Sequence, residues 1–324
     1  MTTSAFPIGI AQVREARARI APHLQRTPLR SYPELDAAVG HDIRVLVKHE
    51  NHLPTNSFKV RNGLAAVSAL TPEERQRGVI CGSRGNHGQG IAFAGMKLGV
   101  PAVIVVPYGN NPEKNAAMRG FGARVIEHGS TYDDAVAESE RIAGAERLTV
   151  IHSTNNEHVI EGAGTITLEV LEDAPQLDAM VIAIGGGSQA VGAMVVLGAA
   201  ERPTPVYGVQ AAGAPAVFES WRAGRPVGPI APNTVADGIA TASSYPTTFA
   251  ALRAGLRDFI TVGEEPILHA TRLLIQTTHN LVEPSGAVGL AGLLQLREEL
   301  AGMAVCVILS GGNADLATLR TLYR

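Results

Sequence analysis

From about residue 43 onward, short continuous apolar runs alternate with stretches whose apolar positions recur every three or four residues. The runs Ile43–Lys48, Val79–Gly82, Ala102–Val106, Arg124–Glu127, Thr149–His152, Ala179–Ile184, Pro205–Val209, Phe259–Val262 and Ala304–Leu309 read as strands. The stretches Gly90–Leu98, Tyr132–Ile142, Thr165–Leu171, Val191–Ala200, Ile267–Thr278 and Ala287–Leu300 read as helices. Continuously apolar strands separated by helices predict an α/β chain with mostly parallel sheets covered on both faces. So many units exceed the usual width of one sheet. The pattern therefore predicts a smaller sheet of about four strands near residues 79–127 and a larger one from the remainder. No low-complexity linker divides the chain, so the two parts are expected to be interleaved.

Composition narrows the classes of function. The chain has 324 residues, 45% hydrophobic and 18% charged, which suits one large or two modest domains with a sizeable core. A net charge of −3 and few aromatic residues argue against nucleic acid as a partner. No apolar run approaches the roughly 18 uncharged residues of a membrane span. Met1–Pro7 lacks a basic segment followed by an apolar one, so secretion is not expected and a cytoplasmic location is. Cys81 and Cys306, the only cysteines, fall in strand-like runs and read as buried free thiols in a reducing compartment. The histidines show no metal-ligand spacing, and His152 and His158 are poorly placed to pair on a helix, so no metal is expected.

Candidate chemistry begins at Ser57-Phe58-Lys59. A lysine that forms a Schiff base must be fixed and partly desolvated so that its neutral amine can attack an aldehyde. Read alone, Lys59 reads better as a solvated lysine at a helix start than as a cofactor lysine. Ser83-Arg84-Gly85-Asn86-His87 follows a strand and opens a helix, where free N–H groups and the helix dipole suit a carboxylate or phosphate. Gly185-Gly186-Gly187-Ser188 occupies the same kind of turn and suits a phosphate. Its spacing also fits a dinucleotide fingerprint, but Gln210 stands where an acidic residue is required, so a monophosphate fits better. Ser310-Gly311-Gly312-Asn313 follows Ala304–Leu309, placing a hydroxyl at a strand's carboxyl end. Glu283-Pro284-Ser285-Gly286 and Ala236-Asp237-Gly238 are weaker and also read as ordinary turns and caps.

Together these motifs resemble, in order and over nearly the whole chain, the fold-type II (tryptophan synthase beta-like) pyridoxal phosphate (PLP) enzymes, specifically the serine/threonine dehydratase and serine racemase group. Matching segments are Pro54–Arg61, Ser83–Gln89, Gly162–Glu169, Gly185–Ser188, Thr234–Gly238, Glu283–Gly289 and Leu309–Asp315. Asn51–Asn62 and Gly208–Trp221 look closest to a hydroxyectoine-utilisation branch. The resemblance implies a large PLP domain from residues 1–69 and 153–324, with a small domain over 70–152. Lys59 would carry the cofactor as a Schiff base, with Phe58 beside the ring and Asn86 on its hydroxyl. Gly185, Gly186, Gly187 and Ser188 would bind the phosphate. Ser310 would face the pyridine nitrogen and count with Lys59 as catalytic, and Gly238 and Glu283 would complete the cofactor site. Ser83, Arg84, Gly85, Asn86 and His87 would hold the substrate.

The activity implied is removal of water and ammonia from a β-hydroxy-α-amino acid of the threonine, serine or 3-hydroxyaspartate class, and the resemblance implies a symmetric homodimer. The alternatives are an amino-acid racemase, a β-replacement synthase and a non-catalytic PLP-binding protein. Two departures change the expectation. Serine racemases have a serine acid/base at position 84, and an arginine is a poor base, so weak or absent racemisation is expected. Arg84 either pairs with an anionic substrate group or turns to solvent or a protein carboxylate. The family's divalent-cation carboxylates appear here as Gln210 and Ala216, so no divalent activation is expected. The chain length also implies no isoleucine-responsive regulatory domain.

Overall fold

The computed structural model describes residues 5–323. The strands are β1 (Leu29–Ser31), β2 (Arg44–His49), β3 (Val79–Gly82), β4 (Ala102–Val106) and β5 (Arg124–Glu127), then β6 (Thr149–Val150), β7 (Ala179–Ala183), β8 (Val206–Ala211), β9 (Asp258–Val262) and β10 (Ala304–Leu309). The first helices are α1 (Ile10–Ile20), α2 (Pro33–Val39), α3 (Lys59–Ser68), α4 (Pro72–Arg77), α5 (Asn86–Leu98), α6 (Pro112–Gly120) and α7 (Tyr132–Glu146). The later ones are α8 (Glu157–Asp173), α9 (Ser188–Gly198), α10 (Ala216–Ala223), α11 (Pro246–Gly255), α12 (Glu264–Thr278), α13 (Pro284–Leu296) and α14 (Leu316–Leu322).

Two sheets form, a six-stranded one ordered β1-β2-β10-β7-β8-β9 and a four-stranded one ordered β5-β4-β3-β6. Every pairing is parallel except β1 with β2. The expected α/β class and paired sheets are found. The fourth strand of the smaller sheet is β6, which lies beyond the 79–127 span expected for it.

Side-chain alternation explains why the apolar runs are continuous. In β10, Val305, Val307 and Leu309 enter a core with α2, α12 and α13. Cys306 and Ile308 face the opposite core, with α1, α8, α9 and α11. Both faces are covered, so neither parity is polar. The smaller sheet repeats the arrangement. Cys81 and Ile104 pack under α3 and α5, while Ile80 and Val103 pack under α7. Among the described residues no helix is long and apolar enough to cross a membrane.

Helix α5 must lie close against α3, because a Cβ on Gly90 would sit 2.4 Å from the Lys59 carbonyl oxygen and one on Gly63 would sit 2.4 Å from that of Gly90. This glycine contact brings the start of α3 and the loop before α5 to one side of a crevice between the sheets.

Candidate active site

The crevice opens at the carboxyl ends of the parallel strands, where open α/β sheets place ligands. The loop after β10 fixes the lysine. Ser57 bridges Gly311, the Phe58 amide donates to the Ser310 carbonyl at 3.0 Å, and the Gly312 amide donates to that of Asn56 at 2.9 Å. Lys59 is thus clamped at the first turn of α3, beside Ser310. Its ammonium lies 4.9 Å from the Phe58 ring centre and donates to the Ser153 carbonyl at 3.4 Å. Burial pushes the amine down to about 8 from a usual 10.5. The position at a helix N-terminus acts in the same direction, because the dipole's positive end disfavours an ammonium.

The turn between β3 and α5 is organised by Ser83, whose hydroxyl oxygen accepts from the amides of Gly85 at 3.1 Å and Gly88 at 2.9 Å. The amides of Asn86 and His87, in the first turn of α5, have no acceptor within the helix. The Asn86 side-chain amide donates to Glu283 at 2.6 Å and accepts from Asn313 at 2.8 Å, so it is held from two sides. His87 contacts the Ile151 carbonyl through Nε2 at 2.8 Å, which fixes the proton there and leaves Nδ1 buried without a partner among the described residues. Burial, with Lys59 nearby, pushes this imidazole down to about 3.

The second anion cradle is the β7–α9 turn. Gly187 has φ +99°, a left-handed conformation, and a Cβ on Gly186 would sit 2.1 Å from Thr154 Oγ1. Thr248 anchors the turn from outside by donating to the Gly186 carbonyl at 2.7 Å. Beside it, Gln189 Nε2 is a buried donor with no acceptor among the described residues, on a side chain that lines the cavity. Three helix N-termini, the free amides of Asn86 and His87 and the unspent Gln189 donor around one amine suit a ligand with an anionic tail and an electrophilic head.

Lys59, Phe58, Ser83, Arg84, Gly85, Asn86, His87, Gly185, Gly186, Gly187, Ser188, Gly238, Glu283 and Ser310 line one cavity. The Gly238 amide is spent on Ser285 Oγ at 2.8 Å, so this residue contributes shape rather than a free donor. Burial raises the Glu283 carboxyl, with Lys114 and the Asn86 hydrogen bond opposing and Asp237 adding to the rise. Arg84 remains on the cavity wall and pairs with Asp237 at 3.1 Å, so a protein carboxylate does answer it. Sequence reasoning gave no role to Gln189, which directly follows the Gly185–Ser188 turn, and missed Lys114, Tyr132, Thr154 and Tyr245, which reach the cavity from elements that carry no motif of their own.

At the expected divalent-cation position, Gln210 is fully buried and its Oε1 accepts from the Phe218 amide at 2.8 Å. No group of three or more His, Cys, Asp or Glu among the described residues is arranged to hold a metal.

Residues 20–311 match the family model for pyridoxal-phosphate dependent enzymes. The chain is 34% identical to the L-threonine ammonia-lyase of Thermotoga maritima over 95% of its own length and 76% of the relative's. It is likewise 34% identical to the L-threo-3-hydroxyaspartate ammonia-lyase of Saccharomyces cerevisiae, over 96% and 94%. The structure of maize serine racemase superposes with a TM-score of 0.92 at 31% identity, covering 98% of each chain. With the family model spanning most of the chain and an amine set between two anion cradles, this protein belongs to the pyridoxal-phosphate dependent enzymes.

Proposed function

We propose that this protein is an ammonia-lyase that uses PLP to convert a β-hydroxy-α-amino acid into a 2-oxo acid and ammonia. The observation that carries the reading is the Lys59 amine, pushed down to about 8 and set in one cavity with the β3–α5 and β7–α9 turns. The Gly185–Ser188 turn and the unspent Gln189 amide would hold the cofactor phosphate, and Lys59 would take its aldehyde carbon. Phe58 would pack beside the ring, Asn86 would face its hydroxyl, and Ser310 would face its nitrogen. When bound, PLP acts as an electron sink for negative charge at the substrate Cα.

The protein's own groups supply the rest. The free amides of Asn86 and His87, with the Ser83 hydroxyl, would orient the substrate α-carboxylate. Released from the cofactor, the Lys59 amine would take the Cα proton as general base, since a pKa near the working pH favours that role. Ser310 is a hydroxyl and not a carboxylate, so it does not enforce a positive ring nitrogen, and loss of the β-hydroxyl competes well. Elimination releases water and an enamine, which tautomerises to an imine; water then hydrolyses it to the 2-oxo acid and ammonia. Racemisation would need a second proton-handling group, and a guanidinium paired with Asp237 is a poor one.

The same reading takes the protein to be a cytoplasmic homodimer. Its buried, unpaired Cys81 and Cys306 support a reducing compartment. Membership of a hydroxyectoine-utilisation branch rests only on Asn51–Asn62 and Gly208–Trp221. The test is a coupled 2-oxo-acid assay of the PLP-loaded protein on L-threonine, L-serine and L-threo-3-hydroxyaspartate, with chiral analysis of recovered substrate. Oxo acid and ammonia in equal amounts, abolished in Lys59→Ala, is the expected result. Inverted substrate without oxo acid would identify a racemase, and unchanged turnover in Lys59→Ala would overturn the assignment.

A further inference from the structure

Two cations and one carboxylate meet at the cavity wall. Arg84 Nη1 lies 3.1 Å from Asp237 Oδ1, and Lys114 Nζ lies 3.7 Å from Asp237 Oδ2. Arg84 and Lys114 belong to the side of the crevice built on the smaller sheet, and Asp237 to a turn on the other side. The Lys114 side chain is only 16% exposed, yet its ammonium makes no hydrogen bond among the described residues. It crosses over Gly85, where a Cβ would sit 2.8 Å from Lys114 Cδ. Gly85 therefore keeps open the path by which this ammonium reaches the cavity.

A lysine side chain so largely covered, with all three ammonium donors unspent among the described residues, is under-partnered, because covering a charge is tolerated when hydrogen bonds replace its water. The carboxylate that faces it is already shared with Arg84. Asp237 is 40% exposed and Arg84 51% exposed, so their pair contributes little to holding the fold and is exchangeable. Glu283 also feels Lys114, but it is buried and committed to Asn86.

We propose that Arg84 and Lys114 form the specificity pocket for a second carboxylate on the substrate, and that Asp237 is the internal counterion which that carboxylate displaces. The proposal rests on the ammonia-lyase reading and narrows its substrate to a β-hydroxy amino acid with an acidic side group. With the α-carboxylate on the amides of the first turn of α5, the side group points to the remaining cations on the same wall. A neutral substrate of similar size leaves Asp237 in place and gains nothing from Lys114.

The test compares kcat/KM for L-threo-3-hydroxyaspartate and L-threonine in the PLP-loaded wild type, Lys114→Met, Arg84→Leu and Asp237→Asn. The acidic-to-neutral ratio should exceed one in the wild type. Each cation variant should lower it by about tenfold or more, the scale of one charged contact. Asp237→Asn should raise it, because the competitor is gone. A second measurement does not depend on turnover: titration calorimetry of succinate against butyrate, which differ by one carboxylate. Succinate should bind more tightly, and the preference should fall in Lys114→Met. A ratio within twofold of wild type in both cation variants, or no preference for succinate, overturns the pocket. If neither amino acid turns over while succinate keeps its Lys114-dependent preference, the pocket stands and the ammonia-lyase reading fails.

Discussion

Lys59 is a lysine placed where a charged lysine is disfavoured, and that has a measurable consequence for the protein without PLP. Its folded pKa of about 8 lies below the usual 10.5. Below about pH 8 both folded and unfolded states carry the proton, and the folded state bears the full cost of a buried ammonium. Between about 8 and 10.5 the unfolded chain binds the proton and the folded one does not, so stability rises with pH across this window. Lys59→Met removes the cost. Thermal melts of cofactor-free wild type and variant should show the variant more stable near pH 7, with the gap closing toward pH 10. A gap independent of pH would contradict the burial of this amine. The residue scale is also where the sequence was most and least informative. Ser83–His87, Gly185–Ser188 and Ser310 were legible because each is a contiguous turn with its own backbone logic. Lys114 and Tyr132 were not, because an ordinary lysine or tyrosine acquires its role only when folding brings distant elements together.

At the scale of elements, continuous apolar strands were the most legible feature, and their failures have physical causes. The short β1 was missed because it is an exposed edge of Leu29–Ser31 with no apolar run. Strand β6 stops at Val150 rather than His152, since His152 Nδ1 accepts the amides of Thr154 and Asn155 and turns the chain. Helix α8 runs over Glu157–Asp173, far beyond the expected Thr165–Leu171. Its Gly162, Gly164 and threonines are poor helix formers whose smallness is used in packing against α3 and α9. The α3–α5 contact makes the same point testable. Gly90→Ala would drive a methyl to 2.4 Å from a backbone oxygen that has no freedom to rotate away. It should cost about 1–3 kcal/mol or more by overpacking and weaken PLP retention. Gly144, within α7 and with nothing within 4 Å of its Cβ position, is the control: Gly144→Ala should stabilise by roughly 0.5–1 kcal/mol. Urea unfolding of both variants measures the contrast, and equal effects would show that helix propensity, not the close approach, governs Gly90.

Over the whole molecule, Lys59 and the helix it opens are tied to the larger sheet by a buried set of charges. Arg61, two residues after Lys59, bonds Glu50 at 2.7 Å and Glu169 at 2.7 Å, while Lys48 reaches Glu169 at 2.6 Å. These residues come from β2, the turn after it, α3 and α8, so the set locks the start of α3 to the larger sheet. Burial alone would raise the Glu169 carboxyl, but the hydrogen bonds and charges of Arg61 and Lys48 outweigh it and hold it at about 2, against a usual 4.5. Its contribution is therefore present above about pH 4.5 and lost as pH falls toward 2. Glu169→Ala leaves Lys48 and Arg61 short of a buried counter-charge and should cost about 3–5 kcal/mol at neutral pH. Arg141→Ala breaks an exposed pair with Glu138 on one helix and should leave stability nearly unchanged. Chemical denaturation at pH 7 measures both. Repeated between about pH 5 and pH 3, it should show a shallower acid loss in Glu169→Gln than in wild type, because the variant has no carboxyl to protonate at this position. Parallel acid slopes would place the acid sensitivity of the fold elsewhere and leave the buried set as packing rather than a charge lock.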